Sequence, residues 1–254
     1  WFQSAGEGGD KDGFNDLGLL YLNAEGVERD YEAAISWFEK SAAMGYALAL
    51  HNLGVIYAKK DFVRQSDEKA FQYYSQAAEK GHGSSQYILG LWYHKGRFVK
   101  EDFKQAFQLY TSAAEKGVVA AFTNLGSLYQ NGQGVPRDYE QARKYFEKAA
   151  ALGHAVALNN LGVLFQNGYG VGKDLAKAVE FYQQAAKRGN AMSHHNLGLL
   201  YAKGDGVEKD LVEAYRRLEK AVLAGYNPAK EKLEKLAAEM TPSDLAFARE
   251  KQSS

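Results

Sequence analysis

The stretch Asn124-Leu125-Gly126-Ser127-Leu128-Tyr129-Gln130-Asn131-Gly132-Gln133-Gly134-Val135-Pro136-Arg137-Asp138-Tyr139 decides how the chain folds. Outward from it, over 118–153, Phe122, Leu125 and Tyr129 follow the helical period, and Ala142, Tyr145, Phe146 and Ala149 resume it after a loop. That loop ends at Asp138, whose carboxylate can accept bonds from the unpaired N–H groups of a new helix start. Gly153 closes the segment, where a helix end favours the left-handed conformation that glycine adopts easily. The stretch predicts two helices joined by a turn.

The same pattern recurs at a fixed step. Leu-Gly stands at Leu17-Gly18, Leu53-Gly54, Leu89-Gly90, Leu125-Gly126, Leu161-Gly162 and Leu197-Gly198, each 36 residues after the last. Ala34, Ala70, Ala106, Ala142, Ala178 and Ala214 keep that step, and the loops end at Asp30, Ser66, Asp102, Asp138, Asp174 and Asp210. A glycine inside a helix costs about 1 kcal/mol relative to alanine. Its return in six first helices makes sense if the missing side chain lets the paired helix approach, so the Leu-Gly face is read as core.

The repeats run 10–45, 46–81, 82–117, 118–153, 154–189 and 190–225. In the second, Lys60 and Phe62 replace the loop glycines, so its turn is expected to differ. Residues 1–9 align Trp1-Phe2 with Trp37-Phe38, which predicts the second helix of a preceding, truncated repeat and hence a piece of a longer array. Within 226–254, Ala229 and Leu233 keep register but Glu234 stands where glycine is expected. Thr241-Pro242-Ser243-Asp244 then reads as a cap with proline at the first helical position. The segment is expected to be a degenerate half-repeat followed by a polar capping helix.

Asn124-Leu125-Gly126 with Tyr129, then Gly132, Gly134-Val135, Asp138-Tyr139, Ala142, Tyr145-Phe146, Ala149-Ala150 and Gly153 resemble the Sel-one-like repeat, a relative of the tetratricopeptide repeat. The resemblance covers 10–225. Plain tetratricopeptide repeats are shorter and lack the Gly-x-Gly-Val loop. The resemblance implies an all-α fold, a right-handed α-solenoid superhelix of 36-residue helix-turn-helix repeats, with the first helices lining its concave side. It also implies adaptor roles in protein assembly, degradation or signalling and, in bacteria, envelope or host-interaction roles, hence an exported or envelope setting. Some members staple their helix pairs with disulfides, but this chain has no cysteine.

On each first helix, positions equivalent to 48, 51, 55 and 58 share the side opposite Leu-Gly, and the last three of them form rows. The first is Asn15, His51, Tyr87, Thr123, Asn159 and His195. The second is Leu19, Val55, Leu91, Ser127, Val163 and Leu199. The third is Leu22, Ala58, His94, Gln130, Gln166 and Ala202, with Lys203 beside its last member. The apolar second row either packs on the next repeat or marks a binding surface. The expected partner-binding residues are Asn15, Leu19, His51, Val55, Tyr87, Leu91, His94, Thr123, Gln130, Asn159, Val163, Gln166, His195, Leu199 and Lys203. Asn52, Asn124, Asn160 and Asn196 are read instead as structural, bonding a neighbouring loop.

Other chemistry finds little support. The chain has 31 Lys+Arg against 31 Asp+Glu, and this balance argues against nucleic acid as partner. No apolar run reaches the length of a membrane span. His82 with His154, and His51 with His195, share registers but lie repeats apart, too far to hold one metal ion. Ser66-Asp67-Glu68-Lys69 has an acyl-transferase spacing, yet Ser66 stands where the other repeats carry their capping aspartate. Gly168-Tyr169-Gly170 follows no strand and so lacks the context of a nucleotide loop.

The expectation is therefore a non-enzymatic scaffold or adaptor without cofactor, holding a protein or peptide in its groove. Rivals are an inhibitor or immunity protein that blocks an enzyme, and a polysaccharide-binding protein or enzyme. End-to-end association through the open N-terminal half-repeat is a further expectation.

Overall fold

The computed structural model describes residues 10–59 and 65–250. The truncated helix expected at 1–9, with its end-to-end association, and the turn at Lys60 and Phe62 lie outside the described residues. Fourteen helices and no strand are present among those described, so the fold is an all-α repeat fold. In chain order they are α1 (Lys11–Asn23), α2 (Tyr31–Ala43), α3 (Ala47–Ala58), α4 (Asp67–Glu79), α5 (Gly83–Lys95), α6 (Phe103–Glu115) and α7 (Val119–Asn131). They continue with α8 (Tyr139–Ala151), α9 (Ala155–Asn167), α10 (Leu175–Lys187), α11 (Ala191–Lys203), α12 (Leu211–Leu223), α13 (Pro228–Glu239) and α14 (Pro242–Arg249). Odd-numbered helices up to α11 are the first helices of repeats, and even-numbered ones to α12 are the second.

Boundaries follow from side chains at the helix ends. Asp30, Ser66, Asp102, Asp138, Asp174 and Asp210 each accept a bond from a backbone N–H of the helix they open. After each second helix, the glycine at 45, 81, 117, 153, 189 or 225 takes φ between +80° and +83°. In the loops, Gly134 has φ +72°, and a Cβ there would lie 2.6 Å from the carbonyl of Phe103. The same position in the third repeat is Phe98, which adopts φ +63° and stays half exposed. Its ring is held by Phe71 at 5.5 Å and Trp92 at 6.2 Å. Sequence reading drew attention to the second repeat's loop and passed over this one.

The chain divides into two compact bodies. The first comprises the described residues up to Ala121 with Gln133–Val135, the second Phe122–Gly132 with the described residues from Pro136. Each has its own buried apolar cluster. In the first body Leu53, Ile56, Phe38, Tyr74 and Trp92 belong to it. In the second, Tyr182, Leu197 and Leu200 form one cluster, while Leu218, Leu236 and Met240 form another. All six Leu-Gly leucines are buried.

The Leu-Gly glycines receive a side chain from the second helix. A Cβ on Gly18, Gly54, Gly90, Gly126, Gly162 or Gly198 would collide with Phe38, Tyr74, Tyr110, Phe146, Tyr182 or Leu218 respectively. The reading of this face as core therefore holds, and its cause is a ring or leucine seated directly on the helix backbone.

At the C-terminal side, α14 starts with Thr241 accepting from the Asp244 N–H and Pro242 in the first turn. The Arg216 guanidinium on α12 donates to the carbonyls of Phe247, at 2.9 Å, and Ala248, at 3.4 Å. These bonds satisfy carbonyls at the end of α14 that have no partner within their own helix.

Candidate functional site

The first row of the first-helix face forms joints between consecutive first helices. Asn15 accepts from Asn52 Nδ2 at 2.9 Å. Asn159 Oδ1 accepts from Ser193 Oγ at 2.9 Å and from Asn196 Nδ2 at 3.1 Å. Thr123 Oγ1 and His154 Nδ1 are 2.8 Å apart. Asn15, Thr123 and Asn159 are only 1 to 3% exposed. The expectation that these three contact a partner is corrected, because their polar atoms are consumed by the neighbouring repeat. His51, Tyr87 and His195 are half-buried in the same row. Tyr87 rests on Tyr110 and His195 on Tyr226, with ring centroids 5.8 and 5.2 Å apart.

The asparagines read as structural are so at Asn52 and Asn196, but their partner differs from the one expected. Each donates to the first helix of the preceding repeat, not to a loop.

The second row stays partly open. Leu19, Val55 and Leu91 in the first body, and Ser127, Val163 and Leu199 in the second, are all half-buried. Leu19 and Val55 pack partly on the first body's core, Val163 partly on the second's. The third row is corrected from opposite the Leu-Gly face to beside it, because Gln166 and His94 stand one turn from Gly162 and Gly90, within reach of the rings seated there. Tyr182 donates its hydroxyl to Gln166 Oε1 at 2.6 Å, and the Tyr110 hydroxyl lies 3.4 Å from His94 Nδ1. Gln130 is half-buried and Lys203 exposed.

Sequence reading missed two features. Comparing histidines at equal repeat positions hid the approach of His51 to His82, whose rings are 4.5 Å apart. Both Nδ1 atoms reach Ser85 Oγ, at 2.9 and 3.0 Å, and Ser85 is buried. Burial, then the neighbouring His82, lowers the His51 pKa to about 4, and burial lowers that of His82. The separation of 31 residues seen in Thr123–His154 recurs here, and that interval was the available signal. Among the described residues, no group of three or more His, Asp or Glu side chains could hold a metal ion.

The second omission is Val156 and Met192. They occupy the first-helix position one turn before the first row, on the same face, and are 45% and 42% exposed. No described helix is long and apolar enough to cross a membrane.

Tandem helix pairs, glycine niches and one partly open helix face together define an all-α helical-repeat protein of the tetratricopeptide-like kind. More narrowly, the Sel1 repeat model matches residues 15–46, 47–82, 83–118, 120–154, 155–190 and 191–226, and the chain belongs to the Sel1 repeat family. Proteins of this family in general mediate protein–protein interaction and are of the non-enzymatic scaffold type.

Among solved structures, the chain is similar to a protective antigen of uropathogenic Escherichia coli strains displaying an SLR fold. The identity is 28% and the TM-score 0.85, over 97% of this chain but 54% of that one, so the chain spans about half that antigen's length. A Sel1 repeat protein from Oxalobacter formigenes is 33% identical with TM-score 0.77, over 85% of this chain and 88% of the other. An immunity protein from Pseudomonas aeruginosa is 25% identical with TM-score 0.52, over 80% and 75%. No curated protein matches the chain at a significant level.

Proposed function

We propose that the chain is a non-enzymatic scaffold or adaptor that holds a protein or peptide segment against its first-helix face. The observation that carries this reading is the second row, whose apolar side chains stay half open on helices otherwise committed to packing. In the first body the contact residues are Leu19, His51, Val55, Tyr87, Leu91 and His94. In the second they are Gln130, Val163, Gln166, His195, Leu199 and Lys203. Apolar anchors on the partner would meet the leucines and valines, and the third-row amides would pair its polar groups.

An affinity purification with the parent protein as bait, repeated with Leu91→Ala and Leu199→Ala combined, tests it. Loss of the captured protein at unchanged helicity is the expected result. Capture that persists, or that maps to the second helices, overturns it.

The likeness to an immunity protein supports a second reading, in which the partner is a folded enzyme that the chain blocks. An enzyme in the purified complex, inactive while bound, would select that reading.

A further inference from the structure

The first helices of the second body are nearly without charge. Over α7, α9 and α11 the single Lys, Arg, Asp or Glu is Lys203, the last residue of α11. Their companions differ, for α8 alone carries Glu140, Arg143, Lys144, Glu147 and Lys148. A solvent-facing surface ordinarily holds about a quarter to a third charged residues, with both signs mixed. Here the uncharged surface is open, with Val156 and Met192 more than two-fifths exposed and Val163 and Leu199 half-buried.

The arrangement of this surface is regular. On α9, Val156, Asn160 and Val163 stand at i, i+4 and i+7, and on α11 Met192, Asn196 and Leu199 do the same. Each stripe reads apolar, amide, apolar. Asn159 ties the two stripes together, accepting from Asn196 Nδ2 at 3.1 Å and placing its own amide nitrogen 3.5 Å from Met192 Sδ. Asn160 and Asn196 are half-buried, and since Asn160 Oδ1 accepts from Asn159 Nδ2 at 3.4 Å, Asn160 Nδ2 and Asn196 Oδ1 are the atoms left for a partner.

We infer that this face takes an uncharged segment of a partner polypeptide, its apolar side chains meeting the four apolar residues and its main chain meeting Asn160 and Asn196. The inference rests on the interaction reading proposed above. A side-chain amide offers both donor and acceptor, the complement of a peptide group's C=O and N–H. Along Val156–Val163 and Met192–Leu199 a charged partner side chain would lose water and find no opposite charge, Lys203 standing one turn beyond Leu199, so this stretch rejects charged segments as well as attracting neutral ones. Neutrality also implies association that is insensitive to salt.

The experiment uses a displayed library of random peptides about twelve residues long. It is selected on the full chain and again on a variant carrying Val156→Glu and Met192→Glu. Both positions are exposed, so the variant is expected to keep its helicity. Enriched peptides should be apolar and poor in Asp, Glu, Lys and Arg. They should bind equally at about 50 mM and about 500 mM salt, and lose at least about tenfold in affinity on the variant.

Enrichment of charged peptides whose binding weakens with salt and still depends on Val156 and Met192 overturns the inference and leaves the interaction reading standing. Peptides that bind chain and variant alike place recognition elsewhere and overturn the inference, while the interaction reading is decided by the Leu91→Ala and Leu199→Ala test. No enrichment at all overturns the inference.

Discussion

The phenol of Tyr182 fills the space vacated by Gly162 and donates to Gln166, one turn further along the same first helix. Its ring lies 2.5 Å from where a Cβ on Gly162 would sit, and its hydroxyl is 2.6 Å from Gln166 Oε1. Tyr110, Gly90 and His94 repeat the arrangement in the third repeat, with a longer hydroxyl contact. Tyr74 fills the niche at Gly54, where the third-row residue is Ala58 and offers no side-chain partner, and Phe38, Phe146 and Leu218 fill the others without a hydroxyl. One core position thus also decides whether a third-row side chain is pinned. Tyr182→Phe should cost about 1 kcal/mol, the ordinary worth of one hydrogen bond, and urea unfolding would measure it. Equal stability of the two proteins would show that the bond contributes nothing.

Gly126→Leu should destabilise by more than about 2 kcal/mol, because the Phe146 ring and the Ala142 carbonyl leave no room and an aromatic ring on a packed helix cannot yield cheaply. The melting midpoint should fall accordingly. An unchanged midpoint would contradict the niche.

Asn159→Ala should cost about 1 kcal/mol, since it removes the acceptor of Asn196 Nδ2 and one of the two acceptors of Ser193 Oγ, which keeps Asn190 Oδ1 at 2.9 Å. A double-mutant cycle with Ser193→Ala should show strong coupling between the two sites. Additive losses would mean that the joint is not a unit.

Acidification should weaken the first body. The His51 pKa falls to about 4 in the folded chain against about 6.5 when exposed. In that window the unfolded chain binds a proton that the folded chain refuses. Stability is therefore fully present above the unfolded value and is lost as pH drops toward 4, by on the order of 2 to 3 kcal/mol from this residue. His82 shifts in the same direction. Urea midpoints at about pH 7 and about pH 4.5 provide the check, and His51→Gln should flatten the difference.

The fold was legible because its determinants are local and repeated. The Leu-Gly pair, the capping aspartates and the closing glycines each act within one helix pair, so a period in the sequence becomes a period in space. The face was only partly legible. Helical angles placed Asn15, Thr123 and Asn159 opposite the core of their own repeat, but those angles say nothing of the repeat stacked beside them. Burial of these three is a contact between repeats, carried by Asn52, His154 and Ser193 at separations that a comparison of equal positions does not reveal. Val156 and Met192 escaped for a simpler reason. Their row runs Asp12, Leu48, Ser84, Ala120, Val156 and Met192, apolar at four of six positions but broken by a charge and a hydroxyl.

The joints also solve a problem of order. Helix pairs whose apolar faces are as alike as these six would tolerate a repeat stacked beside the wrong neighbour. The junctions are chemically distinct: an amide pair at Asn15–Asn52, two imidazoles on one hydroxyl at His51–Ser85–His82, a threonine and imidazole at Thr123–His154, and an amide hub at Asn159. A permuted chain would set mismatched donors and acceptors together in dry junctions. Each polar junction thus acts as an address that only its own neighbour can read.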